Sequence, residues 1–131
     1  NFIGGMNFLP ADAKEDASGA LDVTMPGFGR MRIDQNPNVT ARSAQALVGI
    51  RPEQLEIAAD RPADYDAVAK GTVRDVAFYG ENVHYRVLLD GVETPIAASV
   101  PNYFHSIDFK PGDAVWLGVQ SASVIDLGRD S

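Results

Sequence analysis

Val83-His84-Tyr85-Arg86-Val87-Leu88-Leu89-Asp90-Gly91 decides the fold class of this chain. Val83, Tyr85, Val87 and Leu89 alternate with His84 and Arg86, the period of two that turns one face of a strand to a core and the other to solvent. Upstream, Val73, Val76 and Phe78 lead through Tyr79-Gly80-Glu81-Asn82, which reads as a hairpin. Downstream, Asp90-Gly91 is a favoured type I′ pair and predicts a return strand from Thr94 to Val100, completing a three-stranded meander. Lys110-Pro111-Gly112-Asp113 then turns the chain into Ala114-Val115-Trp116-Leu117-Gly118-Val119, and Val124-Ile125-Asp126-Leu127 closes the series.

The first half carries the same signals. Leu21, Val23 and Met25 alternate with Asp22 and Thr24, and after Pro26-Gly27 a partner segment sets Met31 and Ile33 against Arg30 and Arg32, a small hairpin. Ala46-Leu47-Val48-Gly49-Ile50 is a continuous apolar run, as where a strand is covered on both faces. Arg51-Pro52-Glu53 ends it. Proline suits a first helical position and Glu53 suits a helix N-terminus, so at most one helical turn precedes Leu55-Glu56-Ile57. Asp60 to Asp66 is polar and without periodicity, the signature of an exposed loop.

Short strands at spacings of about 8–12 residues, with glycine-rich corners and almost no helix, predict an all-β fold, an OB-like small Greek-key β-barrel. Five strands from Gly71 onward fit the barrel, and the residues up to about Ile50 add strands to it or form a second small OB-like unit. The chain is expected to be one domain over 1–131, with N-terminal strands and the Arg-Pro-Glu corner in 1–59, a linker or loop in 60–70 and the main barrel half in 71–131.

Composition narrows the function. The 131 residues are 45% hydrophobic and 22% charged, so a packed core is expected. A net charge of −7, from 11 Lys+Arg against 18 Asp+Glu, repels phosphate backbones and anionic lipid, and no nucleic-acid partner is expected. Cysteine is absent, which excludes disulfides, a thiol nucleophile and the common zinc sets, and suits a cytosolic protein. No apolar run approaches the roughly 20 residues of a membrane span. The sequence opens without Met, inside an apolar, glycine-punctuated pattern, as an excised fragment or processed product would.

Motifs for chemistry are missing. There is no phosphate-cradling Gly-x-x-x-x-Gly-Lys-Ser/Thr run, so the chain alone is not expected to bind ATP. Gly27-Phe28-Gly29 lacks the third glycine of a dinucleotide fingerprint and falls in a hairpin turn. His84 lies on the strand face shared by Asn82 and Arg86 and reads as a solvated surface histidine, while His105, after Tyr103-Phe104, is a candidate pocket residue. Asp64 and Asp66 belong to the loop, and Asp90 and Asp113 are turn residues serving local backbone. Asn38-Val39-Thr40 matches the glycosylation pattern but is taken as chance. Phe78, Tyr79, Tyr85, Tyr103 and Phe104 could stack bases on an OB-like barrel, but without a basic groove they read as core and corner residues. No catalytic residue, cofactor-binding residue or metal ligand is assigned, and no enzyme is expected.

Four stretches carry a resemblance. Phe2-Ile3-Gly4 with Asn7 close behind is similar to the junction at which the ATPase core of MalK-like or PotA-like ABC importer subunits passes into its C-terminal domain. Val48-Gly49-Ile50-Arg51-Pro52-Glu53, then Gly71 to Gly80, then Phe109-Lys110-Pro111-Gly112-Asp113 resemble that family's later landmarks, in family order. Tyr79-Gly80-Glu81-Asn82-Val83 and Ala98-Ser99-Val100-Pro101-Asn102 lean toward the polyamine-type importers. The resemblance implies a transport-associated OB (TOBE) regulatory domain, cytoplasmic and peripheral to the inner membrane. It would contact its own ATPase core and a second copy of the subunit, and reach permease subunits through the parent chain, with ATP and Mg²⁺ held by the parent. Arg51 and Glu53 are the candidate interface residues, the rigid corner presenting Arg51 as a fork of donors for a carboxylate. The alternative is a small-ligand module, since related OB barrels in molybdate-handling proteins hold an oxyanion.

Overall fold

The computed structural model describes residues 2–3, 5–15, 20–33, 44–101 and 109–129. Among them the period-two segments become eleven strands, all paired antiparallel: β1 (Phe2–Ile3), β2 (Met6–Glu15), β3 (Leu21–Met25), β4 (Gly29–Ile33), β5 (Ala44–Ile50), β6 (Glu56–Ala58), β7 (Ala67–Tyr79), β8 (Asn82–Leu89), β9 (Ile96–Pro101), β10 (Ala114–Val119) and β11 (Val124–Arg129). Single 3-10 turns, Pro52–Gln54 and Ser121–Ser123, follow β5 and β10. No helix among the described residues is long and apolar enough to cross a membrane.

The strands make two sheets, in the orders β11-β5-β2-β3-β4 and β6-β10-β7-β8-β9, with β1 added to β2. In each, a three-strand meander is followed by a fourth strand that returns beside the first, which is the Greek key (β2 to β5, and β7 to β10). The two halves of the chain therefore repeat one topology. Each repeat continues through its 3-10 turn into a fifth strand that leaves for the other sheet: β6 pairs with β10, and β11 pairs with β5. The first half thus forms the second OB-like unit, and the strand completing the β7–β10 sheet is β6 rather than β11. Alternation alone places a strand's faces but not its sheet, which is why the exchange was not expected.

Both inner faces share one core. Val83, Tyr85, Val87 and Leu89 are all buried, as their alternation requires, and Val87 is 0% exposed. They meet Leu9, Val23, Met25, Val48 and Ile50 from the other sheet in a single cluster with Val115, Leu117 and Val119. The sheets also touch at their ends, where β4 meets β7 and the Ser121–Ser123 turn while the Pro52–Gln54 turn lies against β9. Asn7 clasps them together. Its side chain is 2% exposed, and its Nδ2 donates to the Ala97 carbonyl while its Oδ1 accepts from the Ala97 N–H, both at 2.8 Å. The amide acts as a one-residue strand on the outer edge of β9, satisfying two backbone groups that would otherwise be buried unpaired.

Two local expectations need correction. The Leu89-Asp90-Gly91-Val92 turn closes with Val92 N–H donating to Leu89 O at 3.0 Å, but only Gly91 has positive φ (+76°), so it is not type I′, which needs both central residues there. The strand after it accordingly starts at Ile96, two residues later than Thr94. The equivalent hairpin of the first repeat also turns on a glycine, Gly27 at φ +78°. The turn at Lys110–Asp113 is as expected: Asp113 Oδ2 accepts from the Lys110 N–H at 2.9 Å, and the turn adds to β7 at Val73, where Arg74 makes a bulge.

The segment 60–70 is loop only as far as Asp66, since Ala67 already pairs with Val119 in β7. The loop is tied down along its length. Arg61 lies 5.5 Å from the centre of the Trp116 ring, Gln120 Nε2 donates to Asp64 O at 2.8 Å, and the Ser121 N–H donates to Asp66 Oδ2 at 2.7 Å. Partial burial first, and then the Glu56 carboxylate beside it, hold the Tyr65 phenol above its usual range. The Tyr65 ring lies flat on Gly118, where an added Cβ would come within 2.8 Å of its Cγ. Gly118→Ala should therefore push the ring off β10 and cost about 1–2 kcal/mol. Chemical denaturation checks this, and an unchanged midpoint would mean that the loop is not seated on the strand.

Candidate functional site

The Arg51-Pro52-Glu53 corner forms as the sequence dictates. Proline at the first position of the 3-10 turn fixes φ and is buried, Gln54 N–H donates to Arg51 O at 2.9 Å, and Arg51 and Glu53 point outward, both exposed. Neither side chain enters an ion pair or hydrogen bond among the described residues. The duplicated topology supplies an internal comparison, because Gln120-Ser121-Ala122 occupies the same place after β10. There the polar groups bond within the chain: Gln120 and the Ser121 N–H hold the 60–66 loop, and Ser123 Oγ donates to Gln54 Oε1 at 2.9 Å, joining the two turns. One corner is knitted into its own chain. The other presents a cation and an anion to the outside.

A second feature lies on the solvent face of the β7–β8–β9 meander. The strands here carry the short side chains of Ala77 on β7 and Ala97 on β9 among longer ones, and together they line a cleft of about 360 Å³. Asp75 and Arg86 stand on one wall, their closest oxygen and nitrogen 3.7 Å apart. Tyr79 and His84 form another, with ring centres 4.7 Å apart and planes tilted by 56°. Thr94 and Pro95 make the rim. His84, expected to be simply solvated, is thus half-buried against Tyr79 as a wall of this cleft. Of Phe78, Tyr79 and Tyr85, only Tyr85 behaves as core: its ring packs edge-on against Phe109, and its hydroxyl accepts from the Phe109 N–H at 3.4 Å. Phe78 and Tyr79 are 68% and 63% exposed at the hairpin tip, because the hairpin extends past the edge of the core that would cover them.

His105, Tyr103, Phe104 and Asn38-Val39-Thr40 lie outside the described residues. No three His, Asp or Glu side chains come together as a metal site among those described. Sequence reasoning missed the cleft because its floor comes from two alanines on strands about twenty residues apart, a juxtaposition that only the β7–β8–β9 register creates.

Two interleaved Greek-key units with exchanged fifth strands define an OB-like module. A family model for the TOBE domain matches residues 48–126, and the chain belongs to that family. No curated protein matches the sequence. Among solved structures, the cytoplasmic molybdate-binding protein ModG, crystallised with molybdate bound, superposes with a TM-score of 0.78 at 17% identity, over 99% of this chain and 100% of that one. At that identity the likeness is one of fold.

Proposed function

We propose that this chain is the C-terminal regulatory domain of an ABC importer ATP-binding subunit of the MalK/PotA-like, polyamine-leaning kind, a non-catalytic module that mediates regulatory-domain contacts and control of solute uptake. The observation that carries this reading is the contrast between the two corners: a fold that hydrogen-bonds the polar groups of one corner within its own chain leaves Arg51 and Glu53 at the other without partners among the described residues. The resemblance supports it, since the stretches that carry it supply the joints of the fold: Asn7 clasps the sheets, Pro52 sets the corner and Lys110–Asp113 seals the β7 bulge. On this reading the ATPase core of the parent would hold ATP and Mg²⁺. The domain's partners would be that core and a second copy of the subunit, at the cytoplasmic surface of the inner membrane beside the permease subunits.

Arg51→Ala in the full-length parent tests it. An exposed residue without internal partners should shift the domain's melting temperature by less than a degree or so. Regulatory-domain association, measured by sedimentation, should weaken, or transport control should change. If the isolated domain instead loses more than about 2 kcal/mol, Arg51 belongs to the internal network and the interface role fails.

The likeness to ModG favours a second reading, an oxyanion-binding module. The net charge of −7 opposes it, though backbone N–H groups can still host an anion. Calorimetry with molybdate and sulfate separates the two: saturable heat untouched by Arg51→Ala would favour the ligand module.

A further inference from the structure

The cleft on the β7–β8–β9 face asks for a ligand of its own, independent of the corner. Ala77 and Ala97 are the smallest of its lining residues, and larger side chains there would fill it. Its charged wall is a matched pair. At 3.7 Å the Arg86 nitrogen and Asp75 oxygen are too far apart for a hydrogen bond, so each keeps its hydrogen-bonding capacity open. Both side chains are more than half exposed and so open to a ligand from solvent.

Coulomb's law chooses the ligand class. A lone anion drawn to Arg86 meets the Asp75 carboxylate at nearly the same distance, and a lone cation drawn to Asp75 meets the guanidinium, so either gains little. A molecule carrying an anion and a cation one carbon apart satisfies both at once: its carboxylate takes the guanidinium fork and its ammonium takes Asp75. The Tyr79–His84 rings beside the pair offer an apolar surface to whatever side chain follows, and the Thr94 hydroxyl stands at the rim. We propose that this cleft binds a small zwitterion of the free α-amino acid class, with Arg86 and Asp75 as its charge-reading residues and Tyr79 and His84 as its side-chain wall.

The experiment is an amide NMR titration of the whole 131-residue chain with L-phenylalanine and L-leucine, beside analogues that lack the ammonium or the carboxylate. The zwitterions should shift amides of 75–79, 84–86 and 94–97 saturably, with the single-charge analogues at least about tenfold weaker, near 1.4 kcal/mol. Asp75→Asn and Arg86→Gln should each weaken the zwitterion by about tenfold or more. Asp75→Asn should at the same time improve binding of the carboxylate-only analogue, a gain that a merely structural role would not produce. Ala77→Leu should abolish binding by filling the floor, with the melting temperature kept. The proposal fails if no saturable shift appears at about 10 mM ligand, if shifts fall outside the cleft, or if the analogues bind as well as the amino acids.

Discussion

Val87→Asp should destabilise the domain by about 4 kcal/mol or more, a large part of its stability, while Arg86→Asp, one position away, should leave it nearly as stable as the parent. Val87 has no exposed surface and sits where the two inner faces meet, among residues from both repeats. A carboxylate there would lie among the apolar side chains of that cluster, with no cation in it. It must either stay charged in a low-dielectric site or take up a proton and still lack partners. Either way the cost is about 4 kcal/mol or more, against a stability of roughly 5–15 kcal/mol for a domain of this size. Arg86 points to the opposite face, where its side chain is 57% exposed and its only ion pair is long. Losing that pair and gaining a like charge near Asp75 should cost under about 1 kcal/mol. Circular dichroism melts of the two variants decide the point. Equal melting temperatures would mean that the faces of β8 are reversed.

That face assignment was legible in the sequence, because alternation is imposed by the strand itself and Val83, Tyr85, Val87 and Leu89 keep to one face, with Leu88 the one apolar residue on the other. The one-turn corner at Pro52 was legible for a similar reason: proline fixes its own φ whatever surrounds it. What was not legible depends on pairing between distant segments. Glu56–Ala58 and Val124–Arg129 read as strands, yet nothing local says that each joins the sheet of the other repeat. Phe78 and Tyr79 have the composition of core residues and lie instead beyond the core, on a hairpin whose length no periodicity reports. Of the two candidate surfaces, the exposed corner of Arg51 and Glu53 could be read from the sequence, while the cleft could not.

Asn7 is an intermediate case. It shares the inward face of β2 with Leu9, Ala11 and Ala13, all buried, so a polar residue at that position of the pattern signals a buried amide with a partner to satisfy. The resemblance named this asparagine without giving it a task. The structure gives it one, and repetition sharpens the point: the register of β2 on β5 and of β7 on β10 places Ala67 at the equivalent position of the second repeat, where no such clasp is possible. The asparagine clasp between the sheets is therefore made by the first repeat and not by the second.

Asn7→Asp should accordingly give a domain whose stability depends on pH in a predictable direction. A protonated carboxyl has one O–H donor and one carbonyl acceptor, so it can reproduce both bonds to Ala97 that the amide makes now. A carboxylate has no donor, faces the Ala97 carbonyl oxygen and is buried, so its charged form is disfavoured and its folded pKa lies above the unfolded value of about 3.9. A raised folded pKa contributes stability that is present below the unfolded pKa and is lost as pH rises through the folded one. The variant should therefore melt close to the parent at about pH 3, fall progressively behind it above about pH 4, and level off about 3 kcal/mol less stable near pH 7. Asn7→Leu, which leaves the Ala97 N–H and carbonyl unsatisfied at every pH, should lose about 2–4 kcal/mol with no such slope. Each variant is compared with the parent at the same pH by urea denaturation, so that titration of the other carboxylates cancels. An Asn7→Asp domain as stable as the parent at pH 7 would show that the two 2.8 Å bonds do not hold the sheets together.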